Sequence, residues 1–435
     1  MLDIKYIREN KEKIKEVAKF KNANVDIDNL LKLDKKRKEF LTEIDKLRTE
    51  RNELAKTGKS GKPTDEQIQK GKELKEKISE LEQKLNKTEK DYQKLLLAVP
   101  NLYSDDTPIG KNEDENKIIK TFGKPTKFDF KPKDHMELGM LHGIIDTEKS
   151  AKISGSRFNY LFGGAVHLQF AIIQFVFETL TDQKIIRKLA QKVNNPFDKP
   201  FTPVIPPVIA KSEIMKKMDR FDPIEDRYYL PEDDSLLIGS AEHTLGPIHM
   251  NEVIDEKNLP IRYIGYSTAF RREAGAYGKD TSGIIRRHQF DKAEMETFIQ
   301  PEYGLLEQNL IVAIQEYLVQ QLEIPYQLVL KCTGDMGKPD YRAIDIECWM
   351  PGQNKYRETH TSDYMTNYQS RRLNIKYRTK EGKSELVYMN DATAFAIGRI
   401  LIAILENYQE KNGDIAVPKA LKKYMPGGMK KIEKK

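Results

Sequence analysis

FRREAGAYGKDTSGIIRRHQFDKAE, residues 270–294, is the stretch on which the reading of this chain turns. It opens with Phe270-Arg271-Arg272-Glu273, crosses a turn containing Gly275, Gly278 and Gly283, and leaves through Arg286, Arg287, His288, Gln289 and Phe290. A loop between two strands with arginines at both ends suits an anion. Guanidinium forks grip phosphate oxygens in pairs, and glycines let a backbone bend or approach closely. Phe290 can offer a flat face to a base, while Glu273 and Glu294 can accept hydrogen bonds from amino groups. These residues suit a nucleotide site with a carboxylate for an amine-bearing second substrate. Alone, an Arg-x-Glu pair is usually a surface ion pair, so the flanking sequence has to carry the case.

Outward from this loop the texture is mixed. Tyr326–Leu330 and Ile344–Trp349 read as strands, Phe170–Leu180 and Ile400–Tyr408 as helices. The strand runs include polar residues and the second alternates, which predicts an α+β fold: an antiparallel sheet with helices around it. At 435 residues the chain suits two or three domains. Charged residues reach 32% against 38% hydrophobic, which implies a long exposed element besides the core, and the net charge of +7 is compatible with a polyanionic partner. Two cysteines, Cys332 and Cys348, are too few for a disulfide framework or a Cys-rich zinc site, and the seven histidines show no metal-ligand spacing, so no zinc is expected. No apolar run follows Met1-Leu2-Asp3-Ile4 and no stretch approaches the ~20 residues of a membrane span. A cytoplasmic protein without membrane contact is the expectation.

The first hundred residues differ in kind. Leu33, Arg37, Phe40, Ile44, Leu47, Arg51 and Leu54 follow a 4-3-4-3 spacing among charged residues. A Gly/Pro break at residues 58–63 follows, then Thr64 as N-cap with Gln67 at the capping-box position. Leu74, Ile78, Leu81, Leu85, Thr88, Tyr92 and Leu95 resume the spacing. Two heptad segments joined by a short turn cannot lie parallel, so an antiparallel coiled-coil hairpin is predicted. Its lysine-rich outside is the ordinary solvated face of a coiled coil, or a phosphate-binding arm whose affinity comes from many charges together. Arg48, Arg51, Lys56, Lys59 and Lys62 near the tip are the candidates. The division expected is an arm over 1–103, a polar linker over 104–116 and a catalytic domain over 117–435.

In detail, residues 270–294 resemble motif 2 of the class II aminoacyl-tRNA synthetases in its seryl-tRNA synthetase form, and further segments follow in family order. Asp134-His135-Met136-Glu137-Leu138-Gly139 and Ser154-Gly155-Ser156-Arg157-Phe158 look like the start of that family's catalytic domain. Thr202-Pro203-Val204-Ile205-Pro206-Pro207 looks like the end of motif 1, which builds the family's dimer interface. Ser240-Ala241-Glu242 stands where the family usually has Thr-Ala-Glu. Tyr356-Arg357-Glu358-Thr359-His360-Thr361 and Gln369-Ser370-Arg371-Arg372 follow, and Gly398-Arg399 looks like motif 3. The Gly-x4-Gly-Lys-Ser/Thr phosphate loop is absent, as are the class I synthetase signatures.

The resemblance implies a chemistry and assigns its residues. Serine and ATP would give seryl-adenylate and pyrophosphate, and the seryl group would pass to the 3′ end of serine tRNA; the family also serylates selenocysteine tRNA. Arg271 would hold the α-phosphate, Glu273 the adenine edge and Phe290 one face of the base, with Arg399 on the other face or at the terminal phosphate. Arg272, Arg286, Arg287, Thr359 and His360 complete the expected ATP set. Glu358 resembles the family's Mg2+ ligand, with Thr361 as a further oxygen donor. Serine would be met by Ser240, Ala241, Glu242, Arg271, Glu294 and Thr393. Asp391 occupies a position usually held by asparagine. A homodimer is expected. Two other readings are an activating enzyme that loads a carrier protein, disfavoured by the full arm, and a non-catalytic RNA-binding paralogue, disfavoured because Arg271, Glu358 and Arg399 are all present.

Overall fold

The computed structural model of the chain describes residues 1–57, 64–274 and 283–434. It divides into two compact units, Met1–Leu102 and Tyr103–Lys435.

The first unit is helical. α1 (Ile4–Glu9) and α2 (Lys11–Phe20) precede two long helices, α3 (Ile27–Thr57) and α4 (Asp65–Ala98). Thr64 and Gln67 form a reciprocal capping box at the start of α4. The antiparallel direction of the pair shows in ion pairs that climb one helix as they descend the other: Arg37–Glu89 at 3.7 Å, Arg48–Glu82 at 2.8 Å and Glu50–Lys70 at 3.1 Å. Helices of 31 and 34 residues make an antiparallel arm about 45–50 Å long at ~1.5 Å per residue. Its base is a small core of Ile7, Ile14, Leu30, Tyr92 and Leu96. Arg51, placed on the seam by its spacing, is exposed instead, because the seam loosens toward the tip, where Ile68 is also exposed. Lys56 is exposed and Arg48 is taken up by Glu82. Lys59, Lys62 and the Gly/Pro break lie outside the described residues.

The second unit is built on an eight-stranded sheet. Its strands are β1 (Lys117–Phe122), β2 (Thr202–Val204), β3 (Ile261–Phe270), β4 (Gln289–Ile299), β5 (Tyr326–Leu330), β6 (Arg342–Met350), β7 (Lys355–Thr366) and β8 (Tyr388–Ala396). The order is β1-β5-β6-β7-β8-β4-β3-β2, antiparallel throughout except the β2–β3 edge. One face packs against α5 (Gly164–Thr181), α6 (Gly304–Gln321) and α7 (Ile397–Asn407), whose Leu168, Ile172, Ile311, Leu318, Ile400 and Ile404 are fully buried. Arg262 on β3 forks onto Glu307 of α6 at 2.6 and 2.7 Å, both side chains inaccessible. The long helices cover this face; the other carries polar residues beside short helices, among them Glu242–Leu245, and the cleft lies there. The segment 104–116, expected as a linker, is tied to this unit. Ser104 N donates to Tyr341 O at 2.8 Å and Arg342 pairs with Asp106 at 2.8 Å. No helix among the described residues is long and apolar enough to cross a membrane.

Candidate active site

The cleft follows from pleat and register. On β4, Phe290, Lys292, Glu294 and Glu296 share one face by the period of two. Antiparallel pairing sets Thr393 opposite Glu294, Asp391 opposite Glu296, and Asp363 on the far side of Asp391. Glu358 and Thr361 are three apart, a spacing that alternation sends to opposite faces. A bulge at Thr359 reverses this: Glu358 pairs with Glu347 and Thr361 with Asp345, so both face the cleft. A second bulge at Ala394 keeps Thr393 and Ala396 with the cleft face.

Residues 271–274 and 283–288 close one side. At its return, Gly283 has φ +84° and a Cβ there would collide with the His135 ring. His135 accepts from Ile284 N at 3.2 Å and lies 2.9 Å from Glu406 of α7. Asp134, which begins that segment, caps its helix with Glu137. Gly275 and Gly278 lie outside the described residues.

The cavity so formed has a volume of about 500 Å³. Arg271, Glu273, Arg286, Arg287, Phe290, Glu358, Thr359, Thr361 and Arg399 line its outer part, and Glu242, Glu294 and Thr393 its deep end. Arg271 Nε donates to Gly239 O at 3.1 Å and its guanidinium lies 5.4 Å from the Phe290 ring. Glu273, with φ +52°, pairs with Arg286 at 3.0 Å. Arg399 pairs with Glu358 at 3.0 Å. The Glu358 side chain is 45% exposed at the cleft mouth; partial desolvation pushes its carboxyl up, but Arg399, Lys331 and Arg271 outweigh it and hold the group at about 2. Burial and Arg157 together lower Arg287 to about 10.

Four expected contacts do not line the cavity. Arg272 turns outward, its Nε on Arg227 O at 2.9 Å and its guanidinium 4.8 Å from the Tyr228 ring. His360 pairs with Ile346 and therefore faces the core, against Phe395, where burial holds its imidazole at about 3. Ala241 is buried beside Gly265. Ser240 is buried too, and receives a 3.2 Å hydrogen bond from Lys292 Nζ.

The deep end also holds groups that the sequence did not single out: Arg220, Lys292, Glu296 and Asp363. Arg220 Nε donates to Glu242 and its Nη2 lies 3.7 Å from Asp391. Lys292 Nζ lies 2.7 Å from Glu294. Burial raises the Glu242 carboxyl, yet Arg220 and Lys292 hold it at about 2. Burial raises Glu294, and raises Glu296, Asp363 and Asp391 much further, aided by neighbouring acids. His243 is kept neutral by burial and accepts from Gly239 N at 3.1 Å. The alternating Lys292-x-Glu294-x-Glu296 within an apolar strand was a readable signal. Arg220 had none, standing far from the loop in sequence.

The comparisons agree with this geometry. Residues 1–103 match the family model of the seryl-tRNA synthetase N-terminal domain, and residues 225–408 that of the tRNA synthetase class II core domain (G, H, P, S and T). The serine–tRNA ligase of Dictyoglomus turgidum is 40% identical over 433 residues, 98% of each chain. The crystal structure of seryl-tRNA synthetase from Pyrococcus horikoshii complexed with ATP superposes with a TM-score of 0.89 at 37% identity, covering all of both chains. The serine–tRNA ligase of Naegleria fowleri in complex with AMP gives 0.84 at 29% identity, covering 100% of this chain and 99% of that one. A likeness that runs through arm and core alike, on an antiparallel sheet with one polar face, has one reading: the chain belongs to the seryl-tRNA synthetase family, of class II.

Proposed function

We propose that the chain joins L-serine to the 3′ end of serine tRNA through a seryl-adenylate made from ATP. The observation that carries this is the division of one cleft into two chemistries. Arginines and Phe290 line its outer part, and a carboxylate-rich end paired to Arg220 and Lys292 lies beneath. The first suits a nucleotide and the second an amino acid with an ammonium and a hydroxyl.

In-line attack of the serine carboxylate on the α-phosphorus requires positioning and charge neutralisation more than covalent help. Arg271 bears on the α-phosphate, Glu273 reads the adenine edge, Phe290 stacks on the base, and Arg399 and Arg286 serve the remaining phosphates. Glu242 meets the ammonium, and Glu294 with Thr393 the hydroxyl. A pocket that satisfies the hydroxyl rejects alanine, which would leave buried polar groups unpaired.

Mg2+ fits the oxygen donors beside the phosphate end. Glu358 and Thr361 share a face, and Asp345 lies opposite Thr361 with an Oδ1 that has no hydrogen-bond partner among the described residues. Hard carboxylate and hydroxyl oxygens suit that ion, which would neutralise phosphate charge when bound. The arm, with its distributed lysines and arginines, contacts tRNA, and selenocysteine tRNA is a candidate second acceptor. Phe170 and Ile205 are 60% and 86% exposed; these apolar side chains on α5 and beyond β2 suit a two-fold homodimer. Its place of work is the cytoplasm. Serine-dependent exchange of pyrophosphate into ATP, followed by charging of serine tRNA, tests the reading. Exchange driven equally by alanine, or charging of a carrier protein instead, would overturn it.

A further inference from the structure

Asp391 stands at the centre of a row. Glu296 and Asp391, and Asp391 and Asp363, are direct partners across three adjacent strands, all at one level, with Glu296 and Asp391 buried and Asp363 half-buried. Directly opposed side chains have Cβ atoms only ~5 Å apart, and like charges there repel. Among the described residues, both oxygens of Glu296, one of Asp363 and Oδ2 of Asp391 have no hydrogen-bond partner. The row cannot be fully ionised.

Above the row, one oxygen each of Glu242, Glu294 and Asp391 converge within 4.8 Å of one another. Among the described residues two cations pair with these carboxylates, Arg220 and Lys292. Three carboxylates against two cations leave one negative charge, which a single ammonium would cancel. Before an ammonium arrives, a proton has to do so. Glu242 and Glu294 have close cationic partners, whereas Arg220 stands back from Asp391 at 3.7 Å. Asp391 also faces Glu296 from β4, Asp363 from β7 and Glu242 from its short helix, and of the three converging acids it is the one most favoured to hold the proton.

We propose that Asp391 carries a proton in the serine-free cleft and releases it to solvent when the substrate ammonium enters the space between Glu242, Glu294 and Asp391. The O–H bond of Asp391 breaks, its carboxylate pairs with the ammonium, and the proton passes to buffer. The inference rests on the serine reading above. The charge on Asp391 is absent until the substrate makes it useful.

Calorimetric titration of the full chain with L-serine, beside a non-hydrolysable ATP analogue, counts the protons. At pH 7.0 in two buffers of different ionisation enthalpy, the wild type should release up to about one proton per serine, and Asp391→Asn close to none. In pyrophosphate exchange the wild-type KM for serine should fall by up to about tenfold per pH unit between pH 6 and 8. That of Asp391→Asn should vary much less, and the substrate's own amine titration is common to both. Glu296→Gln should keep the wild-type proton count, since Asp391 faces the ammonium. Absence of release in the wild type overturns the proposal even if the asparagine variant fails to fold. So does equal release by Asp391→Asn, or its loss in Glu296→Gln. Serine that neither binds nor supports exchange would sink the functional reading instead.

Discussion

Replacing Lys292 by methionine isolates what the buried cations do. Lys292 and Glu294 have side chains 11% and 1% exposed and sit 2.7 Å apart, so the variant leaves a carboxylate in the core with its nearest cation gone. Breaking such a pair from one side costs about 3–5 kcal/mol, but Glu294 has an escape by taking up a proton. The cost of protonation is about 1.4 kcal/mol per pH unit above the ordinary carboxyl value, which is 4.5 for this group. At pH 7.5 the ceiling is therefore about 4 kcal/mol, and at pH 5.5 about 1.4 kcal/mol. These are upper bounds, because burial already raises Glu294 in the intact pair. The sign follows from the same shift. A carboxyl raised in the folded state contributes stability below its unfolded value and loses it as pH rises through the folded one. Urea unfolding at the two pH values, read by the fluorescence of Trp349, the single tryptophan, measures the loss in the catalytic unit. Lys292→Met with Glu294→Gln should recover most of it. A penalty independent of pH, or larger at pH 5.5, would refute the reasoning.

Arg271→Ala should lower the rate of serine activation by about 10²–10³ with little change in the KM for serine, since a preorganised charge acts on the transition state. Arg271→Lys should restore only part, because an ammonium lacks the planar fork; pre-steady-state adenylate formation reads both. Deleting residues 28–98 should leave pyrophosphate exchange largely intact and collapse tRNA charging, and equal losses would make the arm a folding element. Glu294→Ala should raise the KM for serine and weaken discrimination against alanine while the KM for ATP stays nearly constant. Sedimentation at micromolar concentration should return twice the 50.4 kDa of one chain.

Most of what is local was legible before folding. The heptads and the Thr64–Gln67 box determined two long helices, and the short connection determined their antiparallel sense, because periodicity and capping act over a few residues. Arg271, Glu273, Phe290, Glu358 and Arg399 were readable as motif residues, and the alternating strands pointed to an antiparallel sheet. What the amino-acid order could not express is which residues meet. Arg51 was assigned to the seam by spacing alone, but a seam is buried only where its partner helix packs tightly. Arg272 and His360 adjoin cleft residues in sequence and face elsewhere, His360 because the bulge at Thr359 reverses the alternation. The deep end was decided by tertiary structure: strand register brings Lys292 and Glu296 of β4 to Asp391 of β8 and Asp363 of β7, and Arg220 reaches them from outside the sheet. Their protonation depends on burial and on charges a few ångströms away through space. Neither quantity exists until the strands are paired.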